Sequence, residues 1–141
     1  MIYKSYLLEN NLKDIFKHNF FLFYGENLGL LKDFKNKIIN ENKLKEIVSL
    51  YSGEVLKDKE ILLKEIKNKS LFYDEKIIFL NNANDKVLEI FENIIDEKNS
   101  VKVLLFAENL EKKSKLRNFF EKQKLVGITA CYQDNEIGIR K

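Results

Sequence analysis

The feature that most constrains the fold is a run of five consecutive large apolar residues, Phe20 to Tyr24, which ends at Gly25. Such a run is typical of a strand that is buried on both faces of a sheet. Residues 27–40 then place apolar side chains at helical spacing. The sequence therefore predicts a strand, a glycine turn and a helix, which is the opening unit of a parallel α/β fold.

The alternation of strand and helix continues along the chain. Further strands are predicted at residues 47–51, 76–80, 101–107 and 126–132. Further helices are predicted at residues 58–68, 87–99 and 112–124, with a weaker helical pattern at 12–18. Short connections between these elements favour a three-layer α/β sandwich with a five-stranded parallel sheet. We expect a single domain over residues 1–141, because the chain contains no internal repeat and no low-complexity linker.

Composition indicates the class of protein but does not identify a binding partner. Hydrophobic residues make up 45% of the chain and charged residues 33%, as in soluble globular proteins. No apolar run approaches the ~20 residues that a membrane span requires, and the amino terminus lacks a signal pattern, so we expect a cytoplasmic protein without a membrane partner. The net charge of +3 is too small to indicate a nucleic-acid partner by itself.

The residue types that most often carry catalysis are scarce. Cys131 and His18 are the one cysteine and the one histidine, so the sequence supports neither a metal centre nor a nucleophile pair. We expect Cys131 to be a core thiol within an apolar strand. His18 is interpreted as a helix cap or a surface residue. The 22 acidic residues are scattered among lysines and do not define a catalytic pair.

The turn at Gly25 occupies the place where α/β folds bind phosphate. A P-loop requires a second glycine, a lysine and a hydroxyl residue at fixed positions, but residues 30–32 are Leu-Leu-Lys. Glu26 would repel a phosphate group, and Asn81 and Asn82 stand where the third strand should supply a magnesium-binding carboxylate. We therefore predict a degenerate phosphate loop, no nucleotide cofactor and no ATP hydrolysis.

Several segments, in their order and spacing, resemble a known family. These are residues 20–27, Ser70-Leu71-Phe72 before the third strand, residues 103–107 followed by 110–116, and residues 130–132. Together they resemble the amino-terminal domain of the delta subunit of the bacterial DNA polymerase III clamp loader. The resemblance implies an AAA+-like fold that does not bind ATP, without the lid and collar domains of the family. It also implies a non-catalytic role in DNA replication, with the sliding clamp (the beta subunit) and other clamp-loader subunits as partners.

The resemblance also implies which residues contact the clamp. The family's clamp-binding pentapeptide is Gln-Leu-Ser-Leu-Phe, and this chain has Asn68-Lys69-Ser70-Leu71-Phe72 at that place. We therefore expect a clamp-binding segment formed by Lys69, Ser70, Leu71, Phe72 and Tyr73. The alternative is that Leu71 and Phe72 cover the core above the third strand.

A lysine-rich stretch near the last helix offers a second interface. The resemblance implies that Lys112, Lys113 and Lys115 contact the phosphate backbone of primer–template DNA, and the alternative is that they form a solvated helix face. Two other functions remain open for the whole chain. One is a nucleotide-binding ATPase or kinase relative, and the other is a general α/β nucleic-acid-binding module.

Overall fold

The computed structural model describes residues 1–68, 73, 75–95 and 101–132. Within these ranges the strands are β1 (Ile2–Lys4), β2 (Phe20–Tyr24), β3 (Glu46–Tyr51), β4 (Lys76–Asn81), β5 (Lys102–Ala107) and β6 (Gly127–Ala130). The α-helices are α1 (Ser5–Glu9), α2 (Leu28–Glu41), α3 (Ser52–Lys57), α4 (Glu60–Lys67), α5 (Leu88–Ile94) and α6 (Lys115–Lys122). Two 3₁₀ helices cover Leu12–Lys17 and Asp85–Val87.

The strands form one sheet in the order β1-β6-β2-β5-β4-β3, and every neighbouring pair is parallel. The predicted parallel α/β sheet is confirmed, but the prediction of five strands is wrong. The sixth strand is β1, which pairs with β6 at the edge of the sheet. Sequence reasoning missed it because β1 has three residues and Ile2 is 66% exposed, so it contains no buried apolar run.

Helices cover both faces of the sheet, which confirms the predicted three layers. On one face, β2 contributes Phe20, Leu22 and Tyr24 to a core that is covered by α3, α4, α5 and α6. On the other face, Phe21 and Phe23 pack beneath α2, α1 and the first 3₁₀ helix. The alternation along β2 follows from the period of two in a strand, and it explains why all five residues of β2 are buried.

Two predicted helices differ from those in the structure. The helix predicted at 58–68 is α4 alone, and α3 precedes it as a separate helix that ends at Lys57 and is followed by Asp58 in an extended conformation. The Asp58 carboxylate accepts a hydrogen bond from the Glu60 amide, which starts α4. The helix predicted at 112–124 begins only at Lys115, because the Ser114 side chain caps it. Among the described helices, none is long and apolar enough to cross a membrane.

Candidate functional site

Most of the predicted clamp-binding segment lies outside the described residues. Lys69, Ser70, Leu71 and Phe72 are not described, so their exposure stays a prediction. Tyr73 is described and is 44% exposed. The structure does describe the residues on both sides of the segment, Asn68 after α4 and Glu75 before β4.

A buried ammonium group joins these two sides. Lys76 is the first residue of β4, and its side chain is only 6% exposed. Its Nζ donates hydrogen bonds to the carbonyl oxygen of Glu65 at 2.9 Å, to the Glu65 carboxylate and to the carbonyl oxygen of Asn68 at 3.2 Å. Lys76, the first residue of β4, is therefore bound directly to the end of α4, although seven residues separate Asn68 from Lys76 in the sequence.

Glu75 provides a second attachment at the same place. Its carboxylate forms an ion pair with the Lys45 ammonium at 2.9 Å, and its carbonyl oxygen accepts from the Glu46 amide at 3.0 Å. The Lys45 ammonium also lies 4.5 Å from the centroid of the Phe16 ring. These contacts hold the chain just before β4 against the start of β3.

Glu75 and Gly25 lie at opposite edges of the sheet. In a parallel sheet all strands start at one edge and end at the other. Glu75 directly precedes Lys76, which starts β4 at the amino edge, whereas Gly25 follows the end of β2 at the carboxyl edge. The carboxyl edge is where α/β sheets usually bind ligands.

At the carboxyl edge, the amides of the phosphate loop are bonded within the protein. The Gly25 amide donates to the carbonyl oxygen of Glu108 at 3.3 Å, and the Asn27 amide donates to that of Cys131 at 3.1 Å. The Leu30 amide donates to the Asn27 side-chain oxygen at 3.0 Å. These are the kinds of donors with which a P-loop holds phosphate, and here they already have acceptors.

The end of β4 carries amide side chains in a hydrogen-bonded cluster. The Asn81 side-chain nitrogen donates to Ser49 Oγ at 2.8 Å and to the Leu50 carbonyl oxygen at 3.1 Å. Its side-chain oxygen accepts from the Lys35 ammonium, whose pKa is lowered by burial. Neither Asn81 nor its neighbour Asn82 offers the carboxylate that Mg²⁺ prefers.

His18 is buried, which corrects the interpretation of this residue as part of the surface. It follows the 3₁₀ helix Leu12–Lys17 as its cap residue but is only 8% exposed. Its Nδ1 lies 3.3 Å from the Leu125 carbonyl oxygen and its Nε2 lies 2.7 Å from the Tyr3 hydroxyl. Because a carbonyl only accepts, Nδ1 carries the proton and Nε2 accepts from Tyr3. No local sequence pattern signals the bond between His18 and Tyr3, because it depends on pairing between β1 and β6.

Cys131 is fully buried, as expected for a core thiol. Burial raises the pKa of the thiol to about 12, so it is protonated and a poor nucleophile at neutral pH. In the part of the chain that the structure describes, no three His, Cys, Asp or Glu side chains are grouped so that they could hold a metal ion.

The three lysines predicted to meet DNA are exposed at the carboxyl edge. Lys112 and Lys113 lie in the turn before α6, and Lys115 is the first residue of the helix. Ser114, between them, donates its hydroxyl to the Asp85 carboxylate at 2.6 Å. The same carboxylate accepts from the amides of Lys115 and Leu116, so Asp85 caps α6 from a distant part of the chain.

Comparisons with known proteins identify a matching family and a solved structure with a similar fold. Residues 21–130 match the family described as DNA polymerase III, delta subunit. Among solved structures, the chain is similar to the Bacillus subtilis DNA clamp loader delta protein (YqeN), with a TM-score of 0.63 and 16% sequence identity. That similarity covers 92% of this chain and 42% of the other, so this chain spans less than half the length of that protein. A search of curated proteins found no match.

Proposed function

The chain belongs to the family of DNA polymerase III delta subunits, and we propose that it is the domain that binds and opens the sliding clamp within a bacterial replicative clamp loader. The observation that carries this proposal is the match over residues 21–130, which extends from β2 to the end of β6. In this role the domain is an AAA+-like protein-interaction module in the cytoplasm. Its partners are the clamp and the other loader subunits.

The clamp contact is assigned to Lys69, Ser70, Leu71, Phe72 and Tyr73. Burial of the Leu71 and Phe72 side chains in an apolar pocket contributes roughly 1.5–3 kcal/mol each. Micromolar affinity requires about 8 kcal/mol after the entropic costs of association. The pair therefore anchors the complex, and neighbouring residues such as Ile66, Lys67 and Tyr73 supply the remaining contacts.

Clamp opening follows from differential binding. A domain that binds the open form of a clamp interface more tightly than the closed form shifts the population toward the open form. This step does not require the domain itself to hydrolyse ATP. In the proposed clamp loader, ATP hydrolysis is the work of partner subunits. The internal hydrogen bonds of the amides of Gly25, Asn27 and Leu30 support a scaffold that does not hold nucleotide.

The clamp assignment is tested with the sliding clamp encoded by the same genome. Surface plasmon resonance compares the parent chain with a Leu71→Ala plus Phe72→Ala variant. We expect the double substitution to weaken binding at least about 100-fold, because two apolar anchors are lost. The matched control is Leu7→Ala plus Leu28→Ala, which removes two exposed leucines from α1 and α2. Equal binding by the parent and the Leu71/Phe72 variant would contradict the assignment.

A thermal-shift experiment separates this function from an ATPase or kinase. A ligand at 100 times its dissociation constant stabilises the folded state by about 2.7 kcal/mol. We expect no change in melting temperature with millimolar ATP and Mg²⁺. A concentration-dependent increase would show that the phosphate loop holds nucleotide and would overturn the non-hydrolysing assignment.

DNA contact by Lys112, Lys113 and Lys115 is a second part of the proposal. All three side chains are exposed beside the amino end of α6, where the helix dipole adds to their positive charge. Contacts of lysine with phosphate are independent of sequence and weaken with salt. A domain that binds DNA tightly but not the clamp would instead be a general nucleic-acid-binding module.

A further inference from the structure

We propose that the groove between α2 and the strands β3 and β4 docks another clamp-loader subunit, and that it receives an amphipathic helix whose apolar face carries a carboxylate. This inference rests on the proposed clamp-loader function, and it names the surface and the chemistry of one partner. The groove contains none of residues 69–73, so the loader contact and the clamp contact are tested separately.

The groove lies on one face of the sheet and has a volume of about 590 Å³. The buried rings of Phe79 and Phe106 line it. Three exposed apolar side chains also line it, and Leu28, Ile39 and Tyr51 are 57%, 41% and 51% exposed. Among the described helices, only α2 contributes to the groove. Because helices normally cover both faces of such a sheet, the described residues leave this part of the layer without a helix.

A lysine ammonium gives the groove its charge. The Lys35 ammonium lies 4.8 Å from the centroid of the Phe106 ring and donates a hydrogen bond to the Asn81 side-chain oxygen. Within the described part of the chain no carboxylate forms an ion pair with it, and burial lowers its pKa. Lys32 and Glu108 also line the groove, but the described contacts include no ion pair of either with Lys35. A partly desolvated ammonium is stabilised by an opposite charge, so the groove is complementary to a carboxylate.

The dimensions and the charge of the groove together select its occupant. β3 and β4 have six residues each, so they span roughly 17 Å, which is the length of an α-helix of about 11 residues. A helix lying along these strands buries apolar side chains against Phe79, Leu28 and Ile39. A carboxylate on the same helix face then meets the Lys35 ammonium. The partner segment is therefore a helix with apolar residues three and four positions apart and an acidic residue on that face.

The test measures binding of the immobilised chain to the other clamp-loader subunits of the same genome and, in parallel, to the sliding clamp. Lys35→Met keeps an unbranched side chain of similar length but removes the charge. We expect it to weaken loader binding about 30-fold, because it leaves the partner's carboxylate unpaired in the interface. Lys35→Arg keeps the charge and should recover most of the affinity. Lys37→Met is the matched control, because Lys37 lies on α2 outside the groove and pairs with Glu9. All three variants should bind the clamp as the parent does.

Equal loader affinity of Lys35→Met and Lys37→Met would overturn the docking site. A parent chain that binds the clamp but no loader subunit would overturn it too, whereas a parent that does not bind the clamp would contradict the proposed function itself. Self-association that Lys35→Met abolishes would assign the groove to a second copy of the chain instead.

Leu28→Glu is the second variant in case Lys35→Met does not fold. Glutamate is favourable at the start of a helix, and Leu28 is the first residue of α2. Its carboxylate would oppose the incoming one, so we expect loader binding to weaken at least about tenfold. Unchanged loader affinity of Leu28→Glu would reject the proposal.

Discussion

The carbonyl oxygen of Cys131 lies where a side chain at Gly25 would begin. A Cβ atom built on Gly25 would be 2.0 Å from that oxygen, and the φ angle of Gly25 is 144°, which is unfavourable for other residues. The chain leaving β6 is thus packed directly on the turn after β2. The close approach also brings the Cys131 carbonyl to the Asn27 amide that it accepts from.

Substitution at Gly25 should therefore destabilise the domain strongly. We expect Gly25→Ala to lower the free energy of unfolding by at least about 2 kcal/mol, because both the φ angle and the clash are unfavourable. Urea denaturation measures the change. Gly53→Ala is the control, since a Cβ there has no neighbour within 4 Å and alanine favours the helix α3. Equal stability of the two variants would show that the turn adjusts freely.

The Asp85 cap should contribute measurably to folding. Asp85→Ala removes three hydrogen bonds at the start of α6, so we expect a loss of about 1–2 kcal/mol in urea denaturation. Asp33→Ala, at an exposed site on α2, is the control, and we expect its stability to change by less than about 0.5 kcal/mol. If Asp85→Ala lowers the free energy of unfolding no more than Asp33→Ala does, then Ser114 alone caps α6.

The lowered pKa of the Asp85 carboxyl group predicts that the folded state loses stability in acid. Burial would raise the pKa of its carboxyl group, but the hydrogen bonds from Ser114, Leu116 and Lys115 outweigh that effect and lower it. Because the folded pKa is below the ordinary value of 3.8, the stabilisation is present above that pH and is lost as the pH falls below it. Denaturation midpoints of the parent and Asp85→Asn should therefore converge in acid. A constant difference between them down to pH 2 would contradict the linkage.

His18 predicts a pH dependence nearer to neutrality. Burial lowers its pKa below the ordinary value of 6.5, even though the bond to the Leu125 carbonyl favours the protonated form. The folded state therefore binds fewer protons than the unfolded state. Stability should be fully present above pH 6.5 and should decrease as the pH falls through the folded pKa. Protonated Nε2 can no longer accept from Tyr3, which weakens the attachment of β1.

The measurement for His18 is the urea midpoint between pH 7.5 and 5.5, where most carboxylates stay ionised. His18→Gln should flatten this part of the profile while the parent loses stability. The amino terminus, Lys17 and Lys102 are the charged groups that act on the imidazole. Burial also lowers the pKa of the amino terminus from its ordinary value of 8.0, so it is the comparison with His18→Gln that assigns the slope to the imidazole. A profile with the same slope in both proteins would assign the pH dependence to other groups.

The lysine cluster gives a prediction about DNA binding. Changing Lys112, Lys113 and Lys115 to glutamine should weaken binding to primer–template DNA without a preference for sequence. The slope of log affinity against log salt should fall by up to about 2.7 in magnitude if each lysine meets one phosphate. The control changes Lys43, Lys57 and Lys59, which are also exposed. Equal effects of the two triple variants would indicate only a general contribution of net charge.

Local patterns predicted the elements that form the core of this domain. The apolar runs in β2, β4 and β5 are long enough to identify buried strands, and these strands lie side by side in the sheet. Burial of Cys131 also followed from its apolar surroundings. Such features depend on neighbours along the chain, so a single sequence contains the information that they require.

The features that were missed depend on contacts between distant residues. Strand β1 is defined by pairing with β6, more than 120 positions away, and His18 is buried by the same pairing. The Asp85 cap of α6 and the bonds of Lys76 to the end of α4 likewise involve side chains that no local spacing relates. In the candidate site, Leu71 and Phe72 were predicted through resemblance and stay a prediction, whereas the only sign of Lys76 in the sequence is a charged residue ahead of an apolar strand.

Strand β4 begins at Lys76 and ends at Asn81, and all six of its residues are buried. At about 3.3 Å per residue, it spans roughly 17 Å between the two edges of the sheet. The bonds of the Lys76 ammonium to the end of α4 and the bonds of the Asn81 amide to β3 are thus held about that distance apart by a strand that is buried along its whole length.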